Sequence, residues 1–241
     1  MSYTFLPFPN DAALAKAVAA QWLQQLAGRK AKPDRHQYNV ALSGGRIARN
    51  FFEEIVRQTG HVPSGLFQEV HFFWADERCV PPSDPESNYA VARELLFEPL
   101  QIPAAQIHRL RGEGPESLAL REAVSDVCGA APVAKGQPVL DMVFLGMGED
   151  GHVASLFPGE PEAMVRDEAV YRAVTAVKPP PRRITLGYAA ITVALEVWVM
   201  VSGAGKEKAL RESLSPEGKT PLARVVQQRA ETKIFSSVKP G

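Results

Sequence analysis

Four glycine-punctuated or charged stretches of this 241-residue chain carry residue types able to meet an anionic or polar ligand. In 140–159, LDMVFLGMGEDGHVASLFPG, the apolar run Met142, Val143, Phe144, Leu145 breaks at Gly146 and Gly148 and leads to Glu149, Asp150 and His152. Such a run reads as a strand buried on both faces, and an open parallel sheet binds ligands in the crevice beyond the carboxyl ends of its strands. Two carboxylates and an imidazole then stand at such an end, among glycines that let a substrate approach the backbone. The plainer alternative is that Gly146 and Gly148 only make a turn and His152 is a solvated loop histidine; a lone Gly-x-Gly does not decide. Ser43-Gly44-Gly45 joins a strand to a helix and so offers backbone N–H groups and a helix N-terminus to an anion, although its spacing is neither a Walker A sequence nor a dinucleotide fingerprint. Asp76-Glu77-Arg78 concentrates charge at another strand end, either at a site or as a solvated cluster. In Ser202-Gly203-Ala204-Gly205-Lys206 a lysine follows a glycine turn, placed to meet an anion as a flexible point charge or to sit on a helix surface.

The elements that must position these residues alternate strand and helix. A short edge strand over 3–8 ends at Pro7 and Pro9. Asn10 or Asp11 then caps a helix over 12–27 with Leu14, Val18, Trp22 and Leu26 on its apolar face, and Gly28 is expected to stop it. A charged loop over 29–35 leads to a strand at 38–42 and a helix at 47–58 with Ile47, Phe51 and Ile55 inward. The strand at 70–74 precedes a proline-rich segment, 80–88, that reads as an ordered loop or lid, and Ser87 or Asn88 caps a helix to about 97. A short strand at 107–110 and a helix at 117–127 come before the strand at 142–145. Strands at 169–175, 184–186, 197–201 and 232–236 and helices at 189–194, 206–214 and 221–229 complete the reading. The fold class is α/β with a mostly parallel sheet flanked by helices, and no linker or internal repeat divides the chain.

Composition narrows the function classes. With 45% hydrophobic residues the chain builds a full core, and 27 basic against 27 acidic residues give a net charge of +0, so there is no electrostatic reason to expect nucleic acid or a membrane surface as partner. Two cysteines, Cys79 and Cys128, are too few for a disulfide framework or a zinc site and are expected to be free, as in a reducing compartment. The N-terminus lacks a secretory pattern and no window holds 18 consecutive apolar residues, so a cytoplasmic protein is expected.

Taken in order, Ser43-Gly44-Gly45, Asp76-Glu77-Arg78 with Val80-Pro81 and Ser87-Asn88, Leu145-Gly146-x-Gly148-x-Asp150-Gly151-His152 continuing as Ala154-Ser155-Leu156-Phe157-Pro158-Gly159, Arg183-Ile184-Thr185-Leu186, and Gly203-x-Gly205-Lys206 resemble the 6-phosphogluconolactonases over about residues 40–215. The resemblance implies a modified Rossmann-like single domain over 1–241, no metal or organic cofactor, a small sugar phosphate lactone as partner, and a monomer or weak homo-oligomer. It also implies hydrolysis of 6-phospho-D-glucono-1,5-lactone with His152 as the base that activates water and Asp150 as its orienting or electrostatic partner. Such an activated ester needs no covalent nucleophile, and an imidazole titrates near neutrality. The phosphate is expected on Arg78 and Lys206 with Ser43, Gly44 and Gly45, with Asp76 and Gly148 as further substrate contacts. Backbone N–H groups of the glycines beside His152 are expected to face the oxyanion.

The sequence departs from that pattern in places. Arg46-Ile47-Ala48 stand where a small hydroxyl residue, threonine and proline are usual, so Arg46 either replaces a phosphate donor or points to solvent. Val153 and Gly187 stand where threonines are common. Two rival readings remain: a glucosamine-6-phosphate deaminase/isomerase on the same fold, which carries a tyrosine after Asp-Glu and a glutamate shortly after Asp-Gly-His, where this chain has Arg78 and Phe157-Pro158-Gly159; and a non-catalytic sugar-phosphate sensor.

Overall fold

The apolar runs become strands of one sheet. The computed structural model describes residues 2–30, 37–60 and 65–240, and a loop reading over 29–35 falls largely outside them. The first half runs β1 Thr4–Pro7, α1 Asp11–Lys30, β2 Tyr38–Leu42, α2 Arg46–Thr59, β3 Val70–Trp74, β4 Asp76–Arg78, α3 Asn88–Ala92 continued by a π-helical turn at Arg93–Phe97, and α4 Glu116–Ala130. It continues through β5 Val133–Ala134, β6 Gln137–Pro138, β7 Met142–Gly146, α5 Glu162–Val165, β8 Tyr171–Thr175 and β9 Arg182–Leu186. Then come α6 Tyr188–Val193, β10 Glu196–Val201, α7 Glu207–Leu214, α8 Pro221–Gln227 and β11 Lys233–Ser236.

Six strands lie in the order β1-β11-β10-β7-β2-β3, every neighbouring pair parallel. β2 and β7 are adjacent at the centre. From β2 the chain goes outward to β3, and from β7 it goes the other way to β10 and β11. Loops that leave two neighbouring strands in opposite directions part and open a crevice, so the Ser43 loop and the Gly146–His152 loop flank the switch point of the sheet. Three antiparallel strands, β4-β9-β8, form a second sheet beside it.

The centre stays rigid because it is apolar on both sides. All five residues of β2 are buried, as are Met142 to Leu145 of β7. Phe144 meets Trp22 of α1 edge-on at 5.3 Å, Phe51 of α2 at 4.8 Å and Trp198 of β10 at 5.8 Å. This aromatic stack welds α1 and α2 to the strand that carries the histidine.

Some sequence expectations change. Gly28 does not stop α1, which runs on to Lys30; burial of Leu14, Val18, Trp22 and Leu26 outweighs the roughly 1 kcal/mol that a helical glycine costs. The segment 107–110 is not a strand: Ile107 makes a single bridge to Phe72 and His108 N–H bonds the Phe72 carbonyl at 2.8 Å before the chain turns away. Asp76–Arg78 is a strand rather than a loop, paired with β9. Among the described residues, no helix is long and apolar enough to cross a membrane.

Candidate active site

The loop after β7 is a tight turn built around its own backbone. Gly148 N–H donates to the His152 carbonyl at 2.9 Å and Gly151 N–H to the Gly148 carbonyl at 3.1 Å. Asp150 folds back so that its Oδ1 accepts the His152 N–H at 3.1 Å and stands 2.5 Å from His152 Nδ1. A proton placed on Nδ1 by this carboxylate would leave Nε2 its lone pair. Burial pushes the Asp150 carboxyl up, but the His152 backbone N–H and imidazole outweigh it and hold the group below its ordinary value. The ring rests directly on Gly148: a Cβ there would lie 2.1 Å from Nδ1 and Cε1. On another side the ring of Phe157 is 5.0 Å away. The expected oxyanion contact from these glycines is corrected here, since the N–H groups of Gly148 and Gly151 are spent inside the turn.

The loop after β2 is the second wall. Ser43 Oγ donates to the Phe144 carbonyl at 2.9 Å, so its hydroxyl proton ties β2 to β7 rather than facing a ligand. A Cβ on Gly44 would fall 1.8 Å from Asn88 Oδ1, so only glycine admits the Asn88 side chain, whose Nδ2 donates to the Asp76 carbonyl at 2.8 Å. Gly45 caps α2 without a side-chain hydrogen bond, and the first turn of α2 has no acidic residue, which leaves a positive helix end facing the crevice. From the end of β10, Lys206 Nζ donates to the Met147 carbonyl at 2.5 Å. Burial pushes its ammonium down and the Arg46 charge pushes the same way, opposed by Glu149 and Asp11.

The third wall is the small sheet. Arg78 and Arg183 face each other across the β4–β9 pair, two cations on one rung. Arg78 Nη1 donates to the Glu86 carbonyl at 2.7 Å and pairs with its carboxylate at 3.3 Å, while its Nε is buried without a partner. Arg183 is anchored through the carbonyls of Pro180 and Lys178 at 3.1 and 3.2 Å; burial lowers its pKa, and Arg78 adds to that. Between the arginines and the β7 loop lies Asp76, whose Oδ2 accepts the Ser155 hydroxyl at 2.7 Å. Behind them Glu77 is fully enclosed. It accepts the N–H groups of Arg78 (2.7 Å), Asn88 (2.8 Å) and Tyr89 (2.8 Å) and the Ser87 hydroxyl (3.0 Å), fastening the start of α3 to β4. Burial pushes its carboxyl up to about 7 against those four donors.

One cleft gathers Ser43, Gly44, Gly45, Asp76, Arg78, Gly148, His152 and Lys206, residues that the sequence scatters over more than half its length. Asp150 sits behind His152. The same cleft is lined by Arg46, for which the sequence left a phosphate donor or a solvent-facing side chain open, and by Asn88 and Arg183, to which sequence reasoning gave no role at the site. Arg183 comes in through the strand pairing that sets it opposite Arg78, which sequence spacing does not display. Val153 is fully buried and packs in the core instead of reaching the cleft. Cys79 and Cys128 are free thiols, and burial raises both. Among the described residues, no group of three or more His, Cys, Asp or Glu is placed to hold a metal ion.

Known proteins resemble this chain in sequence and fold. A 6-phosphogluconolactonase from Aggregatibacter actinomycetemcomitans is 34% identical over 205 residues, 83% of this chain and 84% of that protein. A probable chloroplastic 6-phosphogluconolactonase from Oryza sativa subsp. japonica is 33% identical over 96% of this chain and 73% of its own length. The crystal structure of the devB protein superposes with a TM-score of 0.86 at 28% identity, covering 97% of this chain and 96% of that one. The model of the family described as glucosamine-6-phosphate isomerases/6-phosphogluconolactonase matches residues 9–235, nearly the whole chain and every wall of the cleft, and the chain belongs to that family.

Proposed function

We propose that this protein is a carboxylic ester hydrolase that opens 6-phospho-D-glucono-1,5-lactone to 6-phosphogluconate, the second step of the oxidative pentose phosphate pathway. The family also contains isomerases, so membership alone does not choose the reaction. One observation carries the choice: the Asp150–His152 pair borders a cationic cleft, and beyond Asp150 the stretch after Asp-Gly-His, where the isomerases carry a glutamate, sets the phenyl ring of Phe157 beside the imidazole. A deaminase or isomerase needs a proton donor for ring opening of an amino sugar. A lactone needs a base for water and cations for its phosphate. The named relatives favour the same reaction.

Nε2 of His152 takes a proton from water as the water oxygen bonds to C1, and the carbonyl becomes an oxyanion. Asp150, held ionised, stabilises the imidazolium formed in that step. When the carbonyl re-forms, the C1–O5 bond breaks and the imidazolium returns its proton to O5. The phosphate end is held by Arg78 and Lys206 at the mouth of the uncapped α2 N-terminus, with the backbone of Ser43, Gly44 and Gly45. Remote binding energy thereby positions the reacting carbonyl.

The test is direct. A pH-stat assay on freshly made phosphogluconolactone should show acid release well above the buffer rate, and glucosamine 6-phosphate should yield no ammonia. Ammonia release without lactone hydrolysis would reverse the assignment.

A further inference from the structure

We infer that Arg46 is a phosphate-binding residue of this chain that crosses the end of the central strand to close the anion pocket and sets selectivity for phosphorylated over unphosphorylated lactones. The inference rests on the lactonase reading above and goes beyond it by naming the residue that discriminates.

Position comes first. Arg46 opens α2, directly after β2, yet its Nη2 lies 3.1 Å from where a Cβ on Gly203 would stand, in the turn after β10. β2 and β10 are not neighbours; β7 runs between them. The guanidinium has therefore passed over the carboxyl end of β7, about two strand spacings or roughly 10 Å. The side chain is exposed, but its exposed end lies across the strand ends at the rim of the cleft that it lines. The left-handed backbone of Gly203, φ 85°, and its missing side chain leave the space that the guanidinium fills.

Unmet valence comes second. Every other cation lining the cleft has a protein acceptor: Glu86 for Arg78, the Pro180 and Lys178 carbonyls for Arg183, the Met147 carbonyl for Lys206. Among the described residues Arg46 has no hydrogen-bond acceptor and no carboxylate partner, and it sits beside Lys206, close enough for the two positive charges to oppose each other. Glu149 and Asp11 relieve Lys206 only in part. Two cations that feel each other's charge at an uncapped helix end, one of them an exposed guanidinium whose donors face water at the cleft rim and no protein acceptor, suit a dianionic oxyanion such as a phosphate monoester. A small hydroxyl at this position would give one hydrogen bond and no charge. Arginine gives both a fork and a charge, so the ligand that gains is the doubly charged one.

The experiment compares wild type, R46S and R46K on phosphogluconolactone and on glucono-1,5-lactone, with calorimetric titration of inorganic phosphate into each. R46S should raise KM for the phosphorylated lactone about tenfold or more, the loss of a charge-assisted bond, and lower kcat far less. Its kcat/KM for the unphosphorylated lactone should hold, so the selectivity ratio falls by the same factor, and R46K should recover part of it. Phosphate affinity should fall in the order wild type, R46K, R46S. Equal KM values and equal phosphate affinities in all three would overturn the inference while leaving the lactonase reading intact. Absence of lactone turnover in wild type would remove that reading, and the phosphate titrations would still decide whether Arg46 binds the anion. If R46S melted well below wild type, R46K alone, which keeps the charge and loses the fork, would carry the comparison.

Discussion

At the scale of single residues, the imidazole of His152 has two determinants that substitution separates. Asp150 fixes which nitrogen is free, and Gly148 fixes where the ring lies. His152→Ala removes the base with little change to the phosphate end, so kcat should fall about 10²- to 10⁴-fold while 6-phosphogluconate still binds, measured by initial rates beside calorimetry. Gly148→Ala keeps every titratable group in the sequence but drives a methyl to 2.1 Å from ring atoms of His152. Its expected effect is a loss of at least about tenfold in kcat with near-native product affinity, because misplacing a catalytic group by about 1 Å is costly. A Gly148→Ala enzyme with full turnover would show that the ring is not held where the structure puts it.

At the scale of elements, the fastening of α3 to β4 depends on Glu77. Its carboxyl is raised above its ordinary value to about 7, so the unfolded chain releases that proton first. Between roughly pH 4.5 and 7 the native state therefore holds the extra proton, and this group's contribution to stability declines as pH rises through that window. Denaturant unfolding of wild type and Glu77→Gln across that range should show their difference moving in the variant's favour with rising pH; a constant difference would contradict it. These elements also show what the sequence could disclose. Strands 38–42 and 70–74 and the helix read at 47–58, which runs Arg46–Thr59, were legible because burial on both faces and the 3.6-residue period write themselves into the chain. The pair of residues on either side of a rung is not written that way. Arg78 and Arg183 are more than a hundred positions apart, and only the β4–β9 register makes them neighbours. The π-helical turn after α3 and the single bridge at Ile107 were likewise set by tertiary packing, which local propensity does not encode. The glycine-His loop was readable as a turn at the end of a buried strand, where it does border the cleft; that its N–H groups bond within the turn was not.

At the scale of the whole molecule, the core and the cleft are two ends of one strand. Phe144 anchors β7 among Trp22, Phe51 and Trp198, and its carbonyl also receives Ser43 Oγ. Phe144→Ala should cost about 3–5 kcal/mol of unfolding free energy, read from denaturant midpoints, and lower activity in proportion to the folded fraction near the transition. The cleft acts on the fold in return. Two guanidinium groups share the Arg78–Arg183 rung, their mutual repulsion only partly offset by Asp76 and Glu86, and a sugar phosphate binding there would add the opposing charge. Melting temperature should therefore climb with added 6-phosphogluconate, by about 2.7 kcal/mol of stabilisation at a hundredfold excess over its dissociation constant, and high salt should raise the melting point of the empty protein on its own. In a cell such coupling would make the lifetime of the enzyme against proteases rise and fall with the supply of its metabolite, so that abundance follows demand without any dedicated regulator.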